Sequence, residues 1–278
     1  MAPGRARKRY ESHDDMTYCA GILVGEGLVM FADTRTNAGF DDISTYRKLH
    51  IYETPGERVL AVATSGNLSV TQMALSILEE GLVNPDTGEA ETLAHAPSMF
   101  RAAQLIGQAV RKVKQDLEQG LEAEHVESSV TLLLGGQIRG GPMRLFMIYD
   151  AGNFIECGKD SPFLQIGEHK YGRPILVRAV QFDTELYDAL KIGLISLDST
   201  IQSNLAVGPP IDLLVLKRDA LHSELNYRIE PDEPYFRELS HSWSEALRLA
   251  HTSLPRPPYA PPPLLEGTVQ PLKAGRER

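Results

Sequence analysis

The chain has 278 residues, a net charge of −9, 42% hydrophobic and 23% charged residues, the balance of a globular protein able to bury one sizeable core. That acidic excess argues against a nucleic-acid-binding face, which needs a basic surface, and no apolar run approaches the length of a membrane span. Cys19 and Cys157 fit no metal-ligand spacing, so no metal is expected and two buried free thiols are.

Residues 1–16 form an N-terminal extension, polar and charged. Its basic residues Arg5, Arg7, Lys8 and Arg9 run into Glu11, Asp14 and Asp15 without the apolar stretch of a secretory signal, so a cytoplasmic protein is expected. Short apolar strands follow: Thr17 to Val24, then Leu28 to Asp33 after a glycine turn, which reads as a hairpin. Lys48 to Glu53 and Arg58 to Ala63 form a second pair around Thr54-Pro55-Gly56-Glu57. The period then changes to that of a helix over Leu68 to Leu82, with Leu68, Leu75 and Leu78 among its apolar positions.

A turn-rich insertion over Asn84 to Pro97 precedes a second helix, Met99 to Leu121. Strands resume at Val130 to Gly136, Arg144 to Tyr149, Phe154 to Cys157 and Phe163 to Ile166. Helices are expected over Tyr171 to Val180 and Thr184 to Thr200, strands over Ile211 to Lys217 and Leu221 to Arg228, and a helix over Tyr235 to Leu249. Segregated runs of strands and helices argue for an α+β layered fold, two antiparallel sheets each covered by a helix pair. From 255 to 278 the chain is a tail with six prolines between Pro255 and Pro263, expected to be extended and unpacked, and 17–254 is expected to be one domain.

Thr17 follows Met16, and Asp33 and Lys48 follow Thr17 at sixteen and thirty-one residues. A threonine exposed at a chain start carries its own base, because a free α-amino group has a pKa of about 7.7–8. Such an amine can take the hydroxyl proton near neutral pH. Read singly, each residue has a plainer role: Thr17 an ordinary strand residue, Asp33 a turn acid, Lys48 a solvated strand-edge charge, Gly66 a tight strand-to-helix turn.

Five stretches, in order and spacing, carry more than the single residues. They are Met16-Thr17-Tyr18-Cys19-Ala20-Gly21, Phe31-Ala32-Asp33-Thr34-Arg35-Thr36-Asn37-Ala38-Gly39, Arg47-Lys48-Leu49-His50, Ser65-Gly66-Asn67-Leu68, and Asp198-Ser199-Thr200 running on to Val207-Gly208-Pro209-Pro210-Ile211-Asp212-Leu213. With them the chain resembles an N-terminal-nucleophile hydrolase of the proteasome family, and most closely the bacterial proteasome-like Anbu group. The resemblance implies a four-layer αββα sandwich and peptide-bond hydrolysis without a cofactor. In it Thr17 is the nucleophile, Lys48 a positive charge beside it, Asp33 the anchor of Lys48, and the Gly66 amide an oxyanion donor. Arg35, Glu168, Asp198, Ser203 and Asn204 fall where supporting residues are expected.

The chain also departs from proteasome β subunits, which carry a Gly-Ser-Gly whose serine hydrogen-bonds the threonine amine. Here the stretch reads Ile166-Gly167-Glu168-His169, so Glu168 replaces that serine. The register of the auxiliary Asp…Ser-Gly site within Asp198 to Gly208 is open; with Gly208 as its glycine, Asn204 stands in the acid's place and Val207 in the serine's. His169 is expected as a solvated loop histidine.

Two routes free Thr17: autocatalytic removal of residues 1–16, or a true start at Met16 followed by methionine removal. The second is favoured, because the residue after Met16 is small and the extension has no packing pattern. The leading expectation is a self-compartmentalising threonine peptidase, a homo-oligomer arranged as a ring or helical stack and acting on peptides or unfolded protein. No ATP-binding motif is present, so any unfoldase is a separate chain. The alternatives are an amidohydrolase acting on a small amide and a non-catalytic assembly subunit.

Overall fold

The computed structural model describes residues 17–37, 43–84, 88–124 and 129–259; the expected extension 1–16 and residues 260–278 of the expected tail lie outside them. The chain opens with β1 (Tyr18–Leu23), β2 (Gly27–Asp33), β3 (Arg35–Asn37), β4 (Ile43–Thr45), β5 (Leu49–Thr54) and β6 (Arg58–Gly66). After α1 (Leu68–Glu80) come β7 (Leu82–Val83), β8 (Ala90–Glu91), a 3-10 turn (Leu93–His95) and α2 (Met99–Glu124). Four strands follow, β9 (Val130–Ile138), β10 (Arg144–Ile148), β11 (Phe154–Glu156) and β12 (Phe163–Gly167), then α3 (Arg173–Ala179) and α4 (Leu186–Ile201). The last elements are β13 (Ile211–Lys217), β14 (Leu225–Ile229) and α5 (Pro234–Ser253).

Two five-stranded sheets result, ordered β12-β1-β2-β13-β14 and β11-β10-β9-β6-β5, with antiparallel neighbours throughout. The burial of β1 explains the architecture. All six of its residues are buried, because both faces are covered. Tyr18, Ala20 and Ile22 pack toward α3 and α4, while Cys19 and Leu23 turn into the layer between the sheets. β6 divides in the same way: Leu60 and Val62 meet α1 and α2, and Val59, Ala61 and Ala63 face the other sheet. Three apolar layers thus bind four structural layers, and the fold is α+β. Each fully buried large side chain, Phe31 or Phe146 among them, contributes about 1.5–3 kcal/mol by leaving water.

Three local features differ from the sequence expectation. Asp219 and Leu221 have φ of 64° and 55°, so Leu221 belongs to a turn and β14 begins only at Leu225. The insertion after α1 contains the short β7–β8 pair, and β3–β4 make a small hairpin. Strands of two or three residues carry too little alternation to be read from sequence.

The chain divides into two compact units, Met1–Ser240 and His241–Arg278. The second contains the exposed C-terminal part of α5, where His241 Nε2 lies 3.5 Å from Glu245 Oε1 one turn on.

Candidate active site

Strand register brings the candidate residues to one end of the sandwich. β1 and β2 are antiparallel with Cys19 opposite Ala32, which puts Thr17 and Tyr18 beside Asp33. In the other sheet the Thr64 N–H donates to the Lys48 carbonyl at 3.0 Å, so the start of β5 lies against the end of β6 and Gly66. Stacking the sheets closes the gap between Lys48 and Thr17.

The Lys48 ammonium is the hub. Its Nζ donates to Thr17 Oγ1 at 2.9 Å, to Asp33 Oδ1 at 2.9 Å and to the Arg35 carbonyl at 2.6 Å. Thr17 is 6% exposed, Lys48 5% and Asp33 0%, so the contacts are sheltered from water, where electrostatic effects are strongest. Asp33 Oδ1 also accepts the Tyr18 N–H at 3.0 Å, and Oδ2 accepts the Arg35 N–H at 3.2 Å. Burial pushes the Asp33 carboxyl above the usual carboxylate range. The Lys48 charge and the N–H groups of Tyr18 and Gly208 pull against that rise.

Gly66 ends β6 with φ of 102°, a conformation that favours glycine, and a Cβ there would lie 2.2 Å from the Ser129 carbonyl oxygen. The Asn67 N–H donates to that same carbonyl, so alternation along β6 turns the Gly66 N–H the other way, to the side on which Lys48 lies. Asn67 caps α1, its side chain accepting from the N–H groups of Ser69 and Val70.

The opposite flank of Thr17 is built more loosely. The Glu168 N–H donates to the Thr17 carbonyl at 2.6 Å, which fixes β12 against β1. Gly167 makes this possible: its φ is 79°, and a Cβ would lie 2.0 Å from the Thr17 carbonyl oxygen. The Glu168 side chain is 3% exposed; Oε1 accepts the Lys170 N–H at 3.0 Å, while Oε2 has Asn204 Nδ2 at 3.4 Å and Lys170 Nζ at 3.7 Å.

The remaining candidates divide. Arg35 joins the network through its backbone, and its Nη1 donates to the Leu205 carbonyl at 2.8 Å, holding the loop that carries Asn204 and Gly208. Asp198 and Ser203 stay with their own helix end. Asp198 Oδ1 accepts from Gln202 Nε2 at 3.5 Å, and Ser203 Oγ donates to the Ser199 carbonyl at 3.0 Å. Val207 is fully buried among the apolar residues under α4. His169 is exposed, its Nδ1 at 3.2 Å from the Gly167 carbonyl oxygen. No group of three or more His, Cys, Asp or Glu side chains that could hold a metal occurs among the described residues.

Sequence reasoning missed the Arg35 carbonyl and Tyr18 N–H, which act through backbone and carry no side-chain signal. It also missed Ser65, whose buried hydroxyl has no hydrogen-bond partner among the described residues and lies 3.2 Å from where a Gly167 Cβ would sit.

Neither a protein-family model nor a curated protein matches the chain, but solved structures do. Anbu (ancestral beta-subunit) from Yersinia bercovieri is 43% identical, with a TM-score of 0.79, over 88% of this chain and 100% of that one. The chain belongs to the Anbu family. Anbu from Hyphomicrobium sp. strain MC1 is 46% identical, with a TM-score of 0.76, over 86% of this chain and 99% of its own. A helical assembly of the Anbu complex from Pseudomonas aeruginosa matches at 44% identity and a TM-score of 0.80, over 87% of this chain and 99% of that one. The match covers nearly the whole length of each Anbu chain, so the two-sheet frame that carries Thr17 and Lys48 is the family's fold.

Proposed function

We propose that this Anbu chain is a threonine peptidase subunit whose nucleophile is Thr17. The observation that carries the reading is the 2.9 Å contact between Lys48 Nζ and Thr17 Oγ1, with Lys48 in turn held by the fully buried Asp33.

With the residues before it removed, Thr17 presents a hydroxyl and an amine on one residue. The amine takes the hydroxyl proton while Oγ1 attacks the scissile carbonyl carbon. The nearby ammonium of Lys48 favours the deprotonated oxygen by opposite charge. The oxyanion that forms lies within reach of the Gly66 N–H, a donor of a kind that contributes about 3 kcal/mol to lowering such barriers. As the intermediate collapses, the amine returns its proton to the departing peptide nitrogen and an ester on Thr17 remains. Water, deprotonated by the same amine, attacks that ester; the fragment leaves with a new carboxylate and Thr17 regains its proton. Assembly of several copies into a closed or helical body is proposed on the strength of the Pseudomonas aeruginosa relative.

N-terminal sequencing and intact mass of the protein from its own host are expected to give a chain starting at Thr17. Thr17→Ala is expected to abolish cleavage of a peptide library, and equal rates for the variant and wild type would sink the reading.

A further inference from the structure

The two sheets do not end together. β12, the last strand of the first sheet, packs over β6, β9 and β10, whereas the second sheet continues outward to β11. Met147 and its cross-strand partner Ile155 lie on the face of that sheet which elsewhere forms the inter-sheet core. Ile155 is nevertheless 44% exposed, because among the described residues the first sheet has no strand above it. A cavity of about 450 Å³ fills this place, walled by β11, by β12 and by Arg173 at the start of α3.

The β12 side of the cavity is polar. The bonds from the Leu23 N–H to the Pro162 carbonyl and from the Glu168 N–H to the Thr17 carbonyl fix its register, so even-numbered residues face β1. The backbone groups of Phe163 and Gln165 therefore point away from β1, along the open edge. Gln165 is 7% exposed, and neither its amide oxygen nor its amide nitrogen has a hydrogen-bond partner among the described residues. Leaving such a group unpaired is costly. The Arg173 guanidinium lies 6.0 Å from the Phe163 ring centroid and makes no ion pair among the described residues. Glu156, the acid of the wall, is already held by Arg144 at 2.7 Å.

We infer that this gap is a binding site for the C-terminal end of an extended peptide, which adds to the first sheet as a strand beside β12. An unpaired edge offers main-chain hydrogen bonds to a strand. A peptide unit has the one donor and one acceptor that the Gln165 amide lacks. A free carboxylate suits Arg173, and an apolar side chain suits the uncovered Ile155 and Met147. At about 3.3 Å per strand residue, the outward groups of Phe163 and Gln165 serve about three ligand residues. The occupant is the fragment released with a new carboxylate, a choice of source that rests on the proposed hydrolysis; β12 also leads through Glu168 directly to Thr17.

The test uses the full-length Thr17→Ala chain and fluorescence anisotropy of fluorescein-labelled Gly-Val-Leu-Leu, as the free acid and as the C-terminal amide. The acid is expected to bind about tenfold or more tightly than the amide. Arg173→Glu and Gln165→Leu are each expected to weaken the acid by about tenfold while the melting temperature is kept. Equal binding of acid and amide, or indifference to Arg173→Glu and Gln165→Leu, overturns the site. Because binding is read without turnover, an inactive wild type does not affect it. Binding together with a wild type that hydrolyses no peptide overturns released product as the occupant.

Discussion

The two flanks of Thr17 are held by different means. On the Asp33 side the three hydrogen bonds linking Lys48, Thr17, Asp33 and Tyr18 run at 2.9–3.0 Å and enclose a buried ion pair. On the Glu168 side the backbone bond is short, at 2.6 Å, but the contacts of Oε2 stretch to 3.4 and 3.7 Å and the Ser65 hydroxyl has no hydrogen-bond partner among the described residues. The first flank is a fixed electrostatic frame. The second is fixed in backbone and slack in side chains, so the two flanks should differ sharply in their response to substitution.

Lys48→Met makes the largest test. It is expected to lower kcat/KM for peptide hydrolysis by about a thousandfold or more. It should also destabilise the fold by about 3–5 kcal/mol, since Asp33 is left buried without its counter-charge. Chemical denaturation and steady-state kinetics check both; a tenfold loss would mean that the frame is not what activates Thr17.

The pH dependence separates the frame's two roles. As pH falls through the raised pKa of Asp33, the Lys48 counter-charge disappears, so the acid limb of kcat/KM is expected above the ordinary aspartate value of about 3.9. Stability runs the other way. A carboxyl raised by burial contributes fully below its unfolded pKa and loses that contribution as pH climbs through the folded one. The stability difference between wild type and Asp33→Asn should therefore shrink as pH rises from about 4 through the raised folded pKa. A difference that grows over that range would reverse the assignment.

Glu168→Gln is expected to cost less than about tenfold in kcat/KM, because it keeps the backbone bond to Thr17 and loses only long contacts. A loss as large as that of Lys48→Met would move the proton chemistry to this flank. Ser65→Ala is the gentlest test: removing an unpaired buried hydroxyl should stabilise the protein by up to about 1 kcal/mol with activity unchanged. A marked fall in kcat with unchanged melting would show that the hydroxyl meets substrate.

The frame was legible in the sequence because its parts are side chains at strand ends, and strand length sets their spacing. The hairpin of β1 and β2 returns the chain beside its start, which fixes Asp33 sixteen residues after Thr17. The Glu168 flank was less legible. The turn between α4 and β13 has no periodicity to set a register, so only the folded chain shows Asn204 beside Glu168 while Asp198 and Ser203 stay on their helix end. The Arg35 carbonyl and the Gly208 N–H were hidden, since every residue except proline offers the same backbone groups. Gln165 was hidden for another reason: whether a buried amide finds a partner among the described residues depends on what the fold packs around it, which a sequence does not display.

An ammonium has three hydrogens to give, and Lys48 gives them to three acceptors: Thr17 Oγ1, Asp33 Oδ1 and the Arg35 carbonyl. It stands as a tripod with every leg planted. A group so saturated cannot swing to a substrate or ferry a proton without first breaking one of its own bonds, so in the proposed reaction Lys48 serves as a stationary charge and proton traffic is left to the threonine's own amine. The planar fork of an arginine cannot plant itself on the same three points. Lys48→Arg should therefore keep the charge and lose the site.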